Sequence, residues 1–455
     1  MKAGSRRLKQ RSRALERGLG CGGTFLPSGG RRPTSGYEIF RRKPDSVAGG
    51  ERGRNDSPQS AKGCKENAVF SFNNIFPVQT HFYFLIVFST SVVVLGTPPE
   101  SMEIERQITS AFGTVEHNAN GTIIGVDLAR DRASATDEVL KSALLIPNLR
   151  RLRVAGGNTT AESFAGLANQ CELEDLYLQD VPIRDADWKP LLEGHPRLTR
   201  LTLRRMPNLS GAELATLPRK LPALRNLSLI DMNILGESLT EIAQSETLAA
   251  LDVRNCSRLT AEDYRYLASM PKLADLKIGG FGITDDVLMV IAPLQFLRGL
   301  TIDDALITPG GFEKFAANCA SADKMETLVF GRNSALFDDA MFSLTKFPNL
   351  KRLTVNGMMV TGSFLEQLAE DETARPKLRR LSLRKAFLSI EGMAALKKYP
   401  ELRILDLSGI ALTSELIEIA LSLNHLEELD VTGCGLDKDT LRRLESMPSL
   451  KRLLK

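Results

Sequence analysis

Charged and aromatic side chains recur at fixed offsets in this chain. Arg151 and Arg153, Asp175 and Tyr177, Arg200 and Arg204, Asp252 and Arg254, and Asp275 come first, followed by Arg352, Arg380, Arg384, Asp406 and Asp430. Each stands two, four or six positions after an aliphatic anchor, so it alternates with apolar residues and faces the opposite side of an extended backbone. Gln179, Thr202, Lys277, Asp303 and Glu428 share these offsets. The sign runs basic, acidic, basic, acidic along the chain. That pattern suits a protein partner of complementary charge, with Arg200, Arg204 and Tyr177 of the types enriched at interface hot spots. The plainer account is that exposed positions are charged for solubility.

Little else in the sequence could do chemistry. The six cysteines (Cys21, Cys64, Cys171, Cys256, Cys319, Cys434) form no close pair, so they indicate neither a zinc site nor a disulfide framework and read as buried free thiols. The four histidines (His81, His117, His195, His425) are not spaced as metal ligands and belong to no nucleophile motif. The stretch GLGCGG from Gly18 resembles a loose phosphate loop, but no strand pattern precedes it and no helical pattern follows. No catalytic residue, cofactor or metal site is assigned, and the chain reads as non-enzymatic. Residues 1–100 carry 16 Lys and Arg against 7 Asp and Glu, which leaves 43 against 48 in the rest. A mildly acidic body lacks the single-sign field of a nucleic-acid binder. Tyr177, alone among the aromatics in the alternating set, is no stacking platform for single strands.

The elements that must position these side chains follow from the anchors. The pattern L-x-x-L-x-L starts at Leu149, Leu173, Leu198, Leu224, Leu248, Leu273, Leu297, Met325, Leu350, Leu378, Leu402, Leu426 and Leu450, in steps of 24 to 28 residues. A weaker copy, IIGVDL, holds Ile123, Val126 and Leu128. Offsets three and five give the period-two alternation of a strand, and the later apolar positions switch to helical spacing. Thr260, Thr284, Ser389, Thr413 and Asp437 stand where an N-cap belongs, and Ser210 with Glu213 reads as a capping box. Trp188 and Pro190 interrupt one helix and are expected on its convex side. The longest steps place extra residues near 318–324 and 370–376, as contact loops or as plain insertions.

These residues resemble the leucine-rich repeat superfamily, over roughly 102–455. The unit length and the helix in each unit are most similar to the ribonuclease-inhibitor-like and cysteine-containing subclasses. The resemblance implies an α/β solenoid of about 13 to 14 repeats, strands lining a concave wall of roughly 60 Å and helices on the convex side. The usual Asn/Cys position holds Cys256, Asn333 and Cys434, but elsewhere Gly157, Val181, Met206, Met232, Phe281, Ala305, Met358, Ala386 or Ile410. The turns are therefore expected to be held by apolar packing.

Four regions are expected. Residues 1–66 are a basic, Gly/Ser/Pro-rich stretch; 67–101 hold an apolar run; 102–148 form an N-terminal capping unit; and 149–455 are the repeats. The run at 75–96 reads as a membrane anchor with the repeats outside, unless translation starts at Met102 and the protein is cytoplasmic. Lys451, Arg452 and Lys455 would blunt the last strand's edge, with self-association as the alternative. The resemblance favours a non-catalytic scaffold that binds a protein on its concave face. A substrate-recognition subunit of a ubiquitin-ligase-like complex is the second reading.

Overall fold

The computed structural model describes residues 99–455 apart from 157, 193 and 371–375. The basic stretch, the GLGCGG loop, the 75–96 run and the core of the 370–376 insertion therefore lie outside the described residues.

One sheet organises the fold. Its strands are β1 (Thr114–His117), β2 (Ile123–Leu128), β3 (Arg151–Ala155), β4 (Asp175–Gln179), β5 (Arg200–Arg204), β6 (Asn226–Ile230), β7 (Ala250–Asp252) and β8 (Asp275–Gly279). They continue as β9 (Gly299–Asp303), β10 (Thr327–Gly331), β11 (Arg352–Asn356), β12 (Arg380–Ser382), β13 (Ile404–Asp406), β14 (Glu428–Asp430) and β15 (Arg452–Leu454). Spatial order is sequence order. Only β1 runs antiparallel to its neighbour. From β2 onward the strands are parallel and equal offsets face one another, as Leu152, Leu176 and Leu201 do. A slip of one residue would turn every leucine to solvent, and this holds the register. The protein is an α/β leucine-rich repeat solenoid.

Five strands, β12 and β15 among them, are only three residues long, and in three of the five the reason is local. β7, β13 and β14 are three residues long where most units have five. In each, an aspartate at the third strand position accepts the N–H two residues on: Asp252 from Arg254 at 3.3 Å, Asp406 from Ser408 at 2.9 Å, Asp430 from Thr432 at 2.8 Å. The side chain competes with the ladder and turns the backbone early.

The anchors and their partners at offsets three and five form one continuous buried core. Outside it, each unit places a short helix. Three of these, Ala161–Asn169, Ala261–Ser269 and Asp338–Lys346, are 3₁₀ coils rather than the expected α-helices. Each inserts one apolar pair at i and i+3 (Phe164 with Leu167, Tyr264 with Leu267, Met341 with Leu344), which a 3₁₀ coil eclipses onto a single line.

The caps are partly as expected. Thr260 forms a capping box with Asp263, and Ser389, Thr413 and Asp437 each accept a first-turn N–H. Thr284 and Ser210 make no such bond. Ser210 instead gives its N–H to Asp185 of the preceding unit at 2.7 Å, and Glu213 turns to Lys220. Asp137, Asp285 and Asp338 likewise take both the N–H and the hydroxyl of Thr160, Thr308 and Thr361, one unit ahead. First-turn carboxylates thus tie neighbouring units together as well as complementing their own helix dipole.

The interruption expected at Trp188 is absent. The helix Asp185–Leu192 runs through it, started by the Asp187 carboxylate accepting the Arg184 N–H, and Trp188 is fully buried. The insertion at 318–324 folds back on the preceding loop: Lys324 donates to the Gln295 carbonyl at 2.9 Å and sits over the Phe296 ring. Among the described residues no helix is long and apolar enough to cross a membrane.

Candidate functional site: the inner wall and its rim

The strands from β3 to β14 leave the wall through the same backbone gate. The residue seven positions after each anchor has a left-handed conformation in all twelve units from Gly156 to Gly433. Gly156, Gly280, Gly357, Gly409 and Gly433 meet that demand without strain, and Asp180, Asp231, Asn255 and Asp304 tolerate it. Arg205, Arg332 and Lys385 do not belong to either group.

Two of these three are held by the unit before them. Arg205 forms a two-pronged pair with Asp180, at 2.9 and 2.6 Å, and Arg332 with Asp304, at 2.7 and 2.5 Å. Asn255 reaches Asp231 in the same way at 2.8 Å. The guanidinium hydrogen bonds hold the Asp180 and Asp304 carboxyls below their ordinary range. Lys385 stands between Gly357 and Gly409, which offer it nothing.

Most of the charged residues named above lie on strands of the one sheet, Arg254 and Arg384 lie just past theirs, and many already face a partner. Arg151 pairs with Glu116 at 2.6 Å, Arg200 with Asp175 at 2.9 Å and Arg204 with Asp231 at 3.2 Å. Arg153 reaches Asp127 at 3.4 Å and lies 4.3 Å over the Tyr177 ring. Tyr177 is thus roofed by a guanidinium, and its hydroxyl bonds Gln179.

The tightest network sits mid-wall. Arg254 grips Asp252 with two nitrogens and extends a third to Asp303 on β9, at 2.9 Å, across the intervening β8. Gly279 of β8 makes this crossing possible, because a Cβ there would lie 3.2 Å from the Arg254 Cγ and 2.6 Å from the Asp303 carbonyl. The two carboxylates raise the Arg254 pKa further above its ordinary value. Asp252, expected as an exposed docking group, is 4% exposed beneath this guanidinium. Beside the network the small residues leave a depression of ≈370 Å³ lined by Asp275, Lys277 and Thr301 among others.

Towards the C-terminus the arrangement changes. Asp406 and Asp430 cap their own strands, and Asp406 also accepts from Ser382 at 2.7 Å. The Ser382 hydroxyl lies equally near the Asn356 amide, which must turn its Nδ2 toward Ser382, since one hydroxyl proton cannot serve both. Among the described residues the Arg352 guanidinium donates to Thr327 Oγ1, at 2.9 Å, and to no carboxylate. Arg380, Arg384 and Lys385 are exposed and have no carboxylate partner among the described residues. The last strand's cations are paired, Lys451 with Glu427 and Arg452 with Glu428.

No family model matches the chain, and no curated protein does. Among solved structures it is similar to an internalin from Listeria monocytogenes, at 17% identity and a TM-score of 0.39 over 80% of this chain and 98% of that one. It is also similar to the Rad7 and Elc1 complex in yeast, at 19% identity and a TM-score of 0.47 over 70% and 77% of the respective chains.

The ladder position behaves largely as expected. Asn333 bonds the Ala305 N–H and the Ile302 carbonyl of the preceding unit, and the Cys256 and Cys434 thiols donate to the Leu229 and Leu407 carbonyls. Burial pushes the Cys256 thiol up to about 12, which leaves it unreactive. Val181, Met206, Met232, Ala305, Met358, Ala386 and Ile410 pack inside. Phe281 does not: Gly280 and Ile283 close a turn around it at 3.0 Å, and its ring is 78% exposed. Cys171 also departs from the free-thiol reading, being disulfide-bonded. Among the described residues no group of three or more His, Cys, Asp or Glu could hold a metal ion.

The left-handed column was the missed signal. It was open to reading as Gly, Asn or Asp seven residues after most anchors.

Proposed function

We propose that this protein is a non-catalytic recognition scaffold whose concave wall binds a protein partner. The observation that carries this reading is lateral clamping. Side chains such as Arg200, Arg204 and Arg254 are held by carboxylates of other units, so a partner meets groups already ordered, and the entropy lost on binding is small. The residues named at the outset, from Arg151 to Asp430, form the proposed contact surface, with Asp252 acting from beneath Arg254. Residues 102–148 serve as the capping unit on this reading, supported by the antiparallel β1 at the sheet's first edge and by Ile108 buried against the core. Cys256 and Cys434, bonded across units, favour the cysteine-containing subclass.

The test is site-specific photo-crosslinking in native cells. A photoreactive residue at Lys277 or Thr301, on the wall, should capture a defined protein, whereas one at Lys397, on a convex helix, should not. Equal capture from both faces, or none from the wall, would overturn the proposal. Fractionation of the same cells reports whether the 75–96 run anchors the chain.

A further inference from the structure

We infer that the rim at β11 and β12 takes an acidic peptide segment of the partner, one that also carries apolar side chains. This rests on the recognition reading above and names the chemistry of the partner. Four cations lie on two adjacent strands or just past their ends, Arg352 on β11, Arg380 on β12, and Arg384 and Lys385 beyond it, and none has a carboxylate partner among the described residues. Their backbones are locked together: Arg352 is in register with Arg380, and the Gly357 N–H bonds the Arg384 carbonyl at 2.9 Å. Arg352 faces Arg380 across the two strands, and Arg384 stands beside Lys385 at their exit, so each pair sets two like charges next to each other with no anion between them.

The same positions are treated differently elsewhere in the molecule. The left-handed cations Arg205 and Arg332 each receive an aspartate from the preceding unit, but the unit before Lys385 presents Gly357. Lys385 accepts a strained backbone conformation, at φ 58°, and makes no ion pair among the described residues in return. Strain without a compensating contact marks a position kept for something outside the chain.

Apolar groups flank the cations. Met359 is 56% and Phe387 66% exposed, and their loops are joined by a 3.0 Å bond from the Phe387 N–H to the Val360 carbonyl. The equivalent positions in earlier units hold Pro182, Pro207, Asn233, Ser257, Gly282 and Ser334, with Leu306 the one exposed aliphatic residue among them; what sets this stretch apart is two such side chains in adjacent units. Neighbouring strands stand about 4.8 Å apart, so an extended segment crossing the rim would meet cations and apolar side chains within a few residues of each other. Carboxylates alone would satisfy the first and not the second. The complementary ligand is an acidic segment bearing leucine or phenylalanine.

A random peptide library displayed on phage and selected on the full chain gives the probe. The selected peptides should be enriched in Asp and Glu together with Leu and Phe. By fluorescence anisotropy, the best of them should bind about tenfold more weakly to the R384E/K385E variant and lose its salt dependence there. Phe387→Ser should weaken binding and leave the salt dependence intact. Lys385→Gly should weaken binding while raising Tm by about 2 °C, opposite signs that a folding defect cannot mimic. Neutral or basic selected peptides, no selection at all, or unchanged binding by R384E/K385E would overturn the inference, as would tighter binding of a single-stranded oligonucleotide than of any peptide. If Lys277→Glu abolishes binding and R384E/K385E does not, the wall reading stands and the rim assignment falls.

Discussion

Between β3 and β9 a guanidinium on or just past one strand ends on a carboxylate of a nearby unit: Arg200 on Asp175, Arg204 on Asp231, Arg254 on Asp303. At β11 and β12 the same offsets hold Arg352, Arg380 and Arg384, and the carboxylates are missing among the described residues. The two stretches share backbone, register and core. What separates them is therefore written only in solvent-facing side chains. Exposed pairs of the first kind are worth about 0–1 kcal/mol each, too little to explain the fold, so their effect is to fix geometry. A repeat protein can in this way hold one part of its wall ordered and leave another electrostatically open without altering the scaffold.

The comparison is broken most severely at Arg254. Replacing it with Leu strands the buried Asp252 carboxylate, and the expected loss is about 3 kcal/mol in urea unfolding. Replacing Asp252 in the same chain should recover much of that. An unchanged midpoint for Arg254→Leu would show that the mid-wall network does not bear on stability. Gly279→Ala comes next, at about 1–2 kcal/mol, because the new Cβ must displace either the Asp303 carbonyl or the Arg254 stem. Structure determination should show Arg254 released from Asp303 and still on Asp252; an intact crossing would refute the role given to Gly279.

The third test compares left-handed residues of the two stretches. Lys385→Gly relieves strain and removes no ion pair, so it should stabilise by about 0.5–1 kcal/mol. Arg205→Gly relieves similar strain but loses the two-pronged contact with Asp180, and it should come out neutral or slightly destabilised. Thermal melts of the two variants side by side decide it. Equal shifts would mean that the Asp180 pair contributes nothing.

How much of this was legible beforehand follows physical lines. Strand positions were legible because Leu, Ile and Val at offsets zero, three and five have one way to be buried, and all thirteen strands lie where the anchors put them. Helix type was not, since Phe164 with Leu167 satisfies an α or a 3₁₀ coil equally. Single N-caps were half legible: Thr284 has the right residue in the right backbone, yet caps chosen by local chemistry compete with contacts from the next unit, as Ser210 and Asp185 demonstrate. The candidate wall residues were legible as a set facing one side. Their pairing was not, because it depends on which offsets meet across strands, and Arg254 reaches Asp303, 49 residues away, only through the gap at Gly279. Phe281 shows the limit of pattern matching, where a turn centred on glycines turns an expected core residue outward.

The smallest effect is the most specific. Arg384 is exposed and pairs with nothing among the described residues, so Arg384→Ala should change stability by less than about 0.5 kcal/mol. Arg200→Ala removes a paired guanidinium and should cost slightly more, within about 1 kcal/mol, and this cost should shrink in high salt. Removing Arg384 relieves its repulsion with the adjacent Lys385, so Arg384→Ala should stabilise slightly at low salt and have no effect at high salt. The two variants thus move in opposite directions as salt is lowered, which a urea titration at two ionic strengths resolves. A common direction would mean that β11 and β12 hold no uncompensated charge, and the distinction between the two stretches of wall would disappear.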